Sequence, residues 1–322
     1  MKGIQVALHT MTRNITSHLI LYAVLLLAGM MVGMVVQKYL GLGNILRAVG
    51  VPYPTAGAPL PVNVLPVEIP KEYQGEMHLF ILAGQSNMVG WAPIPEGEKT
   101  DPRIYVFGKD YRWRIADHPI EDAFNQVDMI SENRIAGFGA AMDFAFTSLE
   151  RHPNIVIGLI PCAKNSSAII QWQRNISDQS LYGSCLKRVR AASLMGQISG
   201  LLFFQGEEDA VDPMLYPHPE PHSGDWAQLF SKFISDFRGD VGQTDLPVIF
   251  AQIGADPAST EFLNWNMIKE QQASVTLPMT AMITTDDLPL MDGLHFTTDG
   301  YTILGKRFAD AYWDLIEQAS KK

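Results

Sequence analysis

The sequence predicts an α/β domain with three layers, α/β/α, around a mostly parallel central sheet, preceded by one N-terminal transmembrane helix. Three observations carry this prediction. Short apolar runs rich in β-branched and aromatic residues recur at 78–82, 104–107, 155–160, 200–204, 247–253 and 280–285. They are nearly continuous in hydrophobicity, not alternating, as strands covered on both faces must be. Helix-like segments lie between or after them, at about 138–151, 181–197, 224–238, 261–274 and 299–318. Such alternation predicts parallel strands with helices on both sides. Third, the first part of the chain is composed differently. It has no acidic residue before Glu68, and only Lys2, Arg13, Lys38 and Arg47 are basic there.

Residues 19–36 form an uncharged run, LILYAVLLLAGMMVGMVV. As a helix rising about 1.5 Å per residue, it nearly spans a hydrocarbon core of about 30 Å. It has no polar stripe, as a helix half-buried in a domain would. A cleaved signal peptide is the rival reading, but its apolar region is usually about 7–15 residues long. Gly29 and Gly33 have the spacing that permits a weak helix-mediated dimer, although glycine is common in such helices. The stretch 51–70 contains six prolines and reads as an extended spacer. The chain therefore divides into a short N-terminal segment (1–18), a membrane anchor (19–38), a Pro/Gly-rich linker (39–75) and a globular domain (76–320).

Bulk composition limits what the domain does. Hydrophobic residues make up 47% of the 322, enough for a sizeable core, and the formal net charge is −10. That charge argues against a nucleic-acid partner, which needs a basic face. The two cysteines, Cys162 and Cys185, lack metal-binding spacing and read as two buried thiols, or as a disulfide if the domain is exported. His218 and His222 flank Glu220 in HPEPH, but the interleaved prolines force an extended surface loop without a further ligand. No metal or organic cofactor is expected.

In sheets of this kind ligands bind beyond the carboxyl ends of the strands. Ser86 follows the first predicted strand, in LAGQSNMVG. The segment QGEED, Gln205 to Asp209, follows the fourth. An acidic loop leading to MDGLHF follows the last. A serine needs a base to take its proton, and His295 is the candidate. Asp292, three residues earlier, can reach the imidazole Nδ1 across a turn and fix its tautomer. Acyl transfer also needs donors for a developing oxyanion. Candidates are the Ser86 N–H, the amides of Gly137 and Gly139 at the start of a predicted helix, and the Gln205 side chain. The serine segment is not G-x-S-x-G, because Met88 stands at the last position.

Together these residues resemble the SGNH hydrolase superfamily, and more closely its sialate O-acetylesterase and acetylxylan esterase group, carbohydrate esterase family six. The blocks GQSNMVG, GFGAA, QGEEDA and DGLHFT occur in that group's order, over about residues 76–318. The resemblance implies an SGNH-like fold and removal of O-acetyl groups from a carbohydrate, xylan-like or sialic acid, without a cofactor. It implies Ser86 as nucleophile, His295 as base and Asp292 as its acid. It further implies an oxyanion hole of Ser86, Gly139 and Gln205, with Gln85, Asn87 and Glu207 in support. Ala140 stands where the family usually has proline, and Glu208 where it often has serine. KNSSAIIQW replaces a segment that commonly carries two glycines, which bears on the substrate. An exported enzyme places the domain outside the membrane. The competing readings are a membrane-tethered lipid or arylester hydrolase and a non-catalytic carbohydrate-binding homologue.

Overall fold

The structure, a computed structural model, describes residues 63–321 together with Tyr22 and Gly29. The predicted spanning run, the paired-glycine contact and most of the linker lie outside the described residues. Among the described residues no helix is long and apolar enough to cross a membrane.

Seven strands form one sheet. They are β1 (Met77–Gly84), β2 (Ile104–Phe107), β3 (Trp113–Ile115), β4 (Ile157–Pro161), β5 (Gly196–Phe204), β6 (Val248–Ala251) and β7 (Thr280–Ile283), in the spatial order β3-β2-β4-β1-β5-β6-β7. All neighbours are parallel except β2 and β3, whose pairing sets Tyr105 opposite Ile115 and Phe107 opposite Trp113. Among the described residues from 63 on, the α-helices are α1 (Ser86–Val89), α2 (Ala141–Arg151), α3 (Leu181–Ala192), α4 (Trp226–Val241), α5 (Trp265–Ala273) and α6 (Thr298–Ala319).

Alternating side chains of the central strands build the two layers of helices. On one face, Phe80 of β1 meets Phe144 of α2 and Tyr312 of α6, with ring centroids 4.8 and 4.9 Å apart. On the other, Phe203 of β5 meets Phe230 and Phe233 of α4, and Tyr182 of α3 packs on Phe233 and Phe237. Burial on both faces explains why β1 and β5 carry almost no polar residue at their centres.

Four expectations need correction. The run 113–115 was not predicted as a strand, because a three-residue edge strand is too short for periodicity to show. The predicted helix 181–197 stops at Ala192. The Gly75 N–H bonds the Met195 carbonyl, and Gly196 to Ser199 begin β5 instead. The predicted helix from 138 starts at Ala141, because Phe138 is held in an antiparallel bridge to Ala92. The linker also ends before residue 75. Val67 donates to the Trp113 carbonyl at the edge of β3, and Ile69 is buried. Its flanking prolines, Pro66 and Pro70, suit an extended segment laid along a sheet edge.

Cys162, just past β4, is bonded to Cys185 of α3, with Cα atoms 5.3 Å apart. The reading of two free thiols is thus replaced by a cross-link spanning 23 residues of sequence. A closed loop of that size commonly contributes about 3 kcal/mol by restricting the unfolded chain. Cys185→Ala is expected to lower the denaturant midpoint by a corresponding amount. Wild-type protein unfolded under reducing conditions should match the variant.

Candidate active site

Chain direction reverses its lateral drift beside β1. The chain leaves β1 toward β2 on one side of the sheet, and leaves β4 for β5 on the other. That switch opens a crevice above the carboxyl ends of β1 and β5. Gly84 ends β1 with φ of +129°, and a Cβ there would lie 2.0 Å from the Phe204 carbonyl oxygen. Only glycine fits both the conformation and the contact. The Gln85 N–H then bonds the same Phe204 carbonyl at 2.7 Å, and Ser86 opens the single turn of α1.

The structure brings Ser86, His295 and Asp292 together. His295 Nε2 lies 3.0 Å from Ser86 Oγ, and its Nδ1 lies 2.7 Å from Asp292 Oδ2. Asp292 Oδ1 also accepts the N–H groups of Leu294 and His295, closing the turn that the three-residue spacing implied. Burial pushes the Asp292 carboxyl up, but these bonds from His295 and Leu294 outweigh it and hold it below its ordinary value. With its proton on Nδ1, the imidazole presents the Nε2 lone pair to the serine hydroxyl. This chain of bonds can move the hydroxyl proton to the ring as the oxygen attacks a carbonyl.

Trp91 stacks on the His295 ring at 4.1 Å between centroids, nearly parallel, and its Nε1 donates to Asn165 Oδ1. The indole therefore fixes the plane of the imidazole. Sequence reasoning missed Trp91. Its place five residues after Ser86 was the available signal, but one tryptophan in a loop has no periodicity to betray it.

The supporting residues form a buried network. Asn87 Nδ2 donates to Glu207 Oε1 at 2.7 Å and to the Leu294 carbonyl at 3.1 Å, while its Oδ1 accepts from the Tyr301 hydroxyl. Asn87 thus ties the serine turn to the histidine loop and to α6. Gln85 Oε1 accepts from the N–H groups of Gly206 and Glu208, bracing the segment after β5.

Of the oxyanion candidates, the Ser86 and Gly139 amides have no acceptor within the described residues. Gly139 packs on Gly90, which follows α1, so closely that a Cβ on Gly90 would lie 2.6 Å from the Gly139 Cα. The Gly137 N–H is spent on the Gly90 carbonyl. Gln205 is a correction. Its Nε2 donates to Asp209 Oδ2 at 2.6 Å and to the Ser167 carbonyl, its Oε1 accepts from Trp226, and it is fully buried. A side-chain amide committed in this way braces the site from beneath and leaves no donor for an oxyanion.

The cleft over Ser86 has a volume of about 180 Å³. Its walls include Trp91, Ser166, Val211, Tyr216, Phe262 and Leu294 with Glu207, Glu208 and Glu261. Ser166 comes from the segment expected to reshape the pocket. Burial raises Glu207 and Glu208 to about 7 and Asp209 to about 6. The HPEPH loop lies over this cluster, where the His222 N–H bonds Asp209 Oδ1. Among the described residues no group of three or more His, Cys, Asp or Glu side chains could hold a metal ion.

A parallel α/β sheet carrying a hydrogen-bonded serine, histidine and aspartate at its carboxyl edge is an architecture of ester hydrolases. Residues 76–314 match the family of carbohydrate esterases described as sialic acid-specific acetylesterases. The chain belongs to that family and is a carboxylic ester hydrolase. It is 29% identical over 273 residues to a probable carbohydrate esterase of Arabidopsis thaliana, covering 78% of this chain and 96% of the relative. The crystal structure of an Arabidopsis thaliana protein superposes with a TM-score of 0.63 at 27% identity, covering 74% of this chain and 99% of that one. The structure of NanS shares the fold, with a TM-score of 0.58 at 16% identity, covering 76% of this chain and 99% of that one.

Two outcomes follow from the network. Asn87→Ala should lower kcat/KM for an activated acetyl ester by roughly tenfold or more, because misplacing reacting groups is costly, while circular dichroism shows a folded domain. Folded Glu207 releases its proton near about 7 and unfolded Glu207 near 4.5, so in that window the native state holds the extra proton and loses stability as pH rises. Glu207→Gln should therefore flatten the fall in thermal midpoint between about pH 4.5 and 7.

Proposed function

We propose that the protein is a serine esterase that removes O-acetyl groups from a carbohydrate through an acyl-enzyme. The observation that carries this reading is the unbroken set of hydrogen bonds from Ser86 through His295 to Asp292 beside an open cleft. Ser86 Oγ attacks the ester carbonyl as His295 Nε2 takes its proton, and the carbonyl electrons move onto oxygen. The Ser86 and Gly139 amides are the donors for that oxyanion. The ester C–O bond then breaks, the sugar oxygen leaves with the proton from His295, and an acetyl group stays on Ser86. Water, deprotonated by His295, attacks this ester; acetate departs and the serine regains its proton. Asp292 orients the imidazole and stabilises its charged form.

The membership of the family and the name of the Arabidopsis relative support a carbohydrate substrate, an acetylated xylan-like polysaccharide or a sialic acid. The narrow cleft, with three glutamates in its walls, suits a short acyl group better than a lipid chain. The run 19–36 supports a single membrane anchor, with the domain on the extracytoplasmic side. The Cys162–Cys185 bond favours that side, because disulfides persist in oxidising compartments. The domain then extends from about residue 67 to 320, joined to the anchor by the proline-rich segment.

Acetate release from 4-nitrophenyl acetate and acetylated xylan tests the chemistry. Ser86→Ala should abolish it in a protein with an unchanged melting curve. Asp292→Asn should lower kcat by about 10⁴-fold, the cost of presenting the wrong tautomer. An unaltered rate in Asp292→Asn would remove that residue from the mechanism. Extraction of membranes at alkaline pH tests the anchor. Full-length protein should stay with the lipid, and release into the supernatant would rule the anchor out.

A further inference from the structure

The family is described by its action on sialic acids, whose carboxylate is ionised at neutral pH. A site for such a sugar needs a cation or a set of free donors facing that group. The cleft over Ser86 offers no cation, and the hydroxyls in its walls besides Ser86 are those of Ser166 and Tyr216. Glu207, Glu208 and Glu261 line it, and no lysine or arginine does. Lys164, on the loop after β4, is turned away to the Glu132 carbonyl. The Trp91 Nε1–H, a donor that a substrate could use, is taken by Asn165.

The acidic groups are also short of donors. Glu207 is almost wholly buried, and its Oε2 has no hydrogen-bond partner among the described residues. Glu208 is half-buried beside it, and its carboxylate makes no hydrogen bond there either; only burial and the neighbouring acids Asp209 and Glu207 act on its charge. Glu261, on the opposite rim, lies against the Tyr216 hydroxyl. A ligand entering here meets the carboxylates of Glu208 and Glu261, acceptors that want O–H groups, beside apolar walls from Val211 and Phe262, while Glu207 adds its charge from beneath. Sugar hydroxyls supply those donors. A second carboxylate would meet like charge in a site partly withdrawn from water, which screens it poorly.

We propose that this cleft takes acetyl esters of neutral sugars and discriminates against sugars that carry a carboxylate, with Glu208 and Glu261 setting the preference. This rests on reading the cleft as the ester-hydrolysing site. It departs from the substrate in the family's description, and it follows from the side chains of this chain. The signal lies partly in Glu208, which stands where the resembled family often has serine.

The test compares acetate release by the full-length protein in detergent, at mildly alkaline pH, from three substrates. They are an acetylated xylo-oligosaccharide, 9-O-acetylated N-acetylneuraminic acid, and the same sialic acid with its own carboxyl methylated. The last two share the ring and the acetyl ester and differ in one charge. The methylated sugar should be deacetylated with kcat/KM about tenfold or more above that of the free acid at low salt. The gap should narrow in high salt, and in Glu208→Gln and Glu261→Gln. Glu261 is exposed, so its variant has no folding penalty to confuse the result. Equal rates for the two sialic acids, a faster free acid, or a gap unmoved by both variants would overturn the proposal. If neither these sugars nor 4-nitrophenyl acetate release acetate in a Ser86-dependent way, the esterase reading itself falls, and this inference with it.

Discussion

Everything at the site depends on how closely β1 and β5 approach each other at their carboxyl ends. Gly84 lies against the Phe204 carbonyl, and the next amide, Gln85, bonds that same oxygen. The contact leaves no room for a side chain. It sets where the chain stops being a strand, and hence where Ser86 begins the turn of α1. A second close contact, between Gly90 and Gly139, brings the loop before α2 onto the far end of that turn. The serine, its own amide and the Gly139 amide are placed by backbone packing, which is stiffer than any side-chain arrangement.

Around this frame the protein spends buried polar groups freely. Asn87, Glu207, Tyr301, Gln85, Gln205, Asp209 and Trp226 are all buried, and they bond one another or nearby backbone. Such a network is costly unless it is satisfied. Here the one buried side-chain atom of these residues without a partner among the described residues is Glu207 Oε2, which belongs to a residue of the cleft wall. Proteins commonly leave such groups at functional sites and offset their cost elsewhere. The rise of Glu207 and Glu208 to about 7 reflects the same withdrawal from water.

The histidine loop shows how local and distant constraints combine. Asp292 closes a turn on the amides of Leu294 and His295, so the carboxylate and imidazole meet without help from the rest of the fold. The turn must still be carried to Ser86, 209 residues away in sequence. Asn87 does this through the Leu294 carbonyl, and Trp91 through its stacked ring. Both come from the serine side, so the serine and the imidazole are registered by the same short segment.

Much of this was legible in the residues alone. Continuous apolar runs separated by helical segments specify a parallel sheet, because both its faces must be covered. The positions of Ser86 and Gln205 just past strands, and of His295 on the loop after the last strand, then follow. The three-residue spacing of Asp292 and His295 is a local geometry that any turn can satisfy. Other features depended on partners far along the chain. Gln205 looked like a free donor, yet Asp209, Ser167 and Trp226 claim both ends of its amide. Phe138 looked helical until Ala92 drew it into a bridge, and Val67 looked like linker until β3 gave it an edge to join. Cys162 and Cys185 looked like separate thiols until α3 lay beside the end of β4. The sequence by itself determined the layers, the edge of the sheet where Ser86 and Gln205 lie and the local histidine turn, because these follow from periodicity and short spacing. Only the tertiary structure decided which polar groups remain free at that edge, because a hydrogen-bond donor is available only when no neighbour, however distant in sequence, has already taken it.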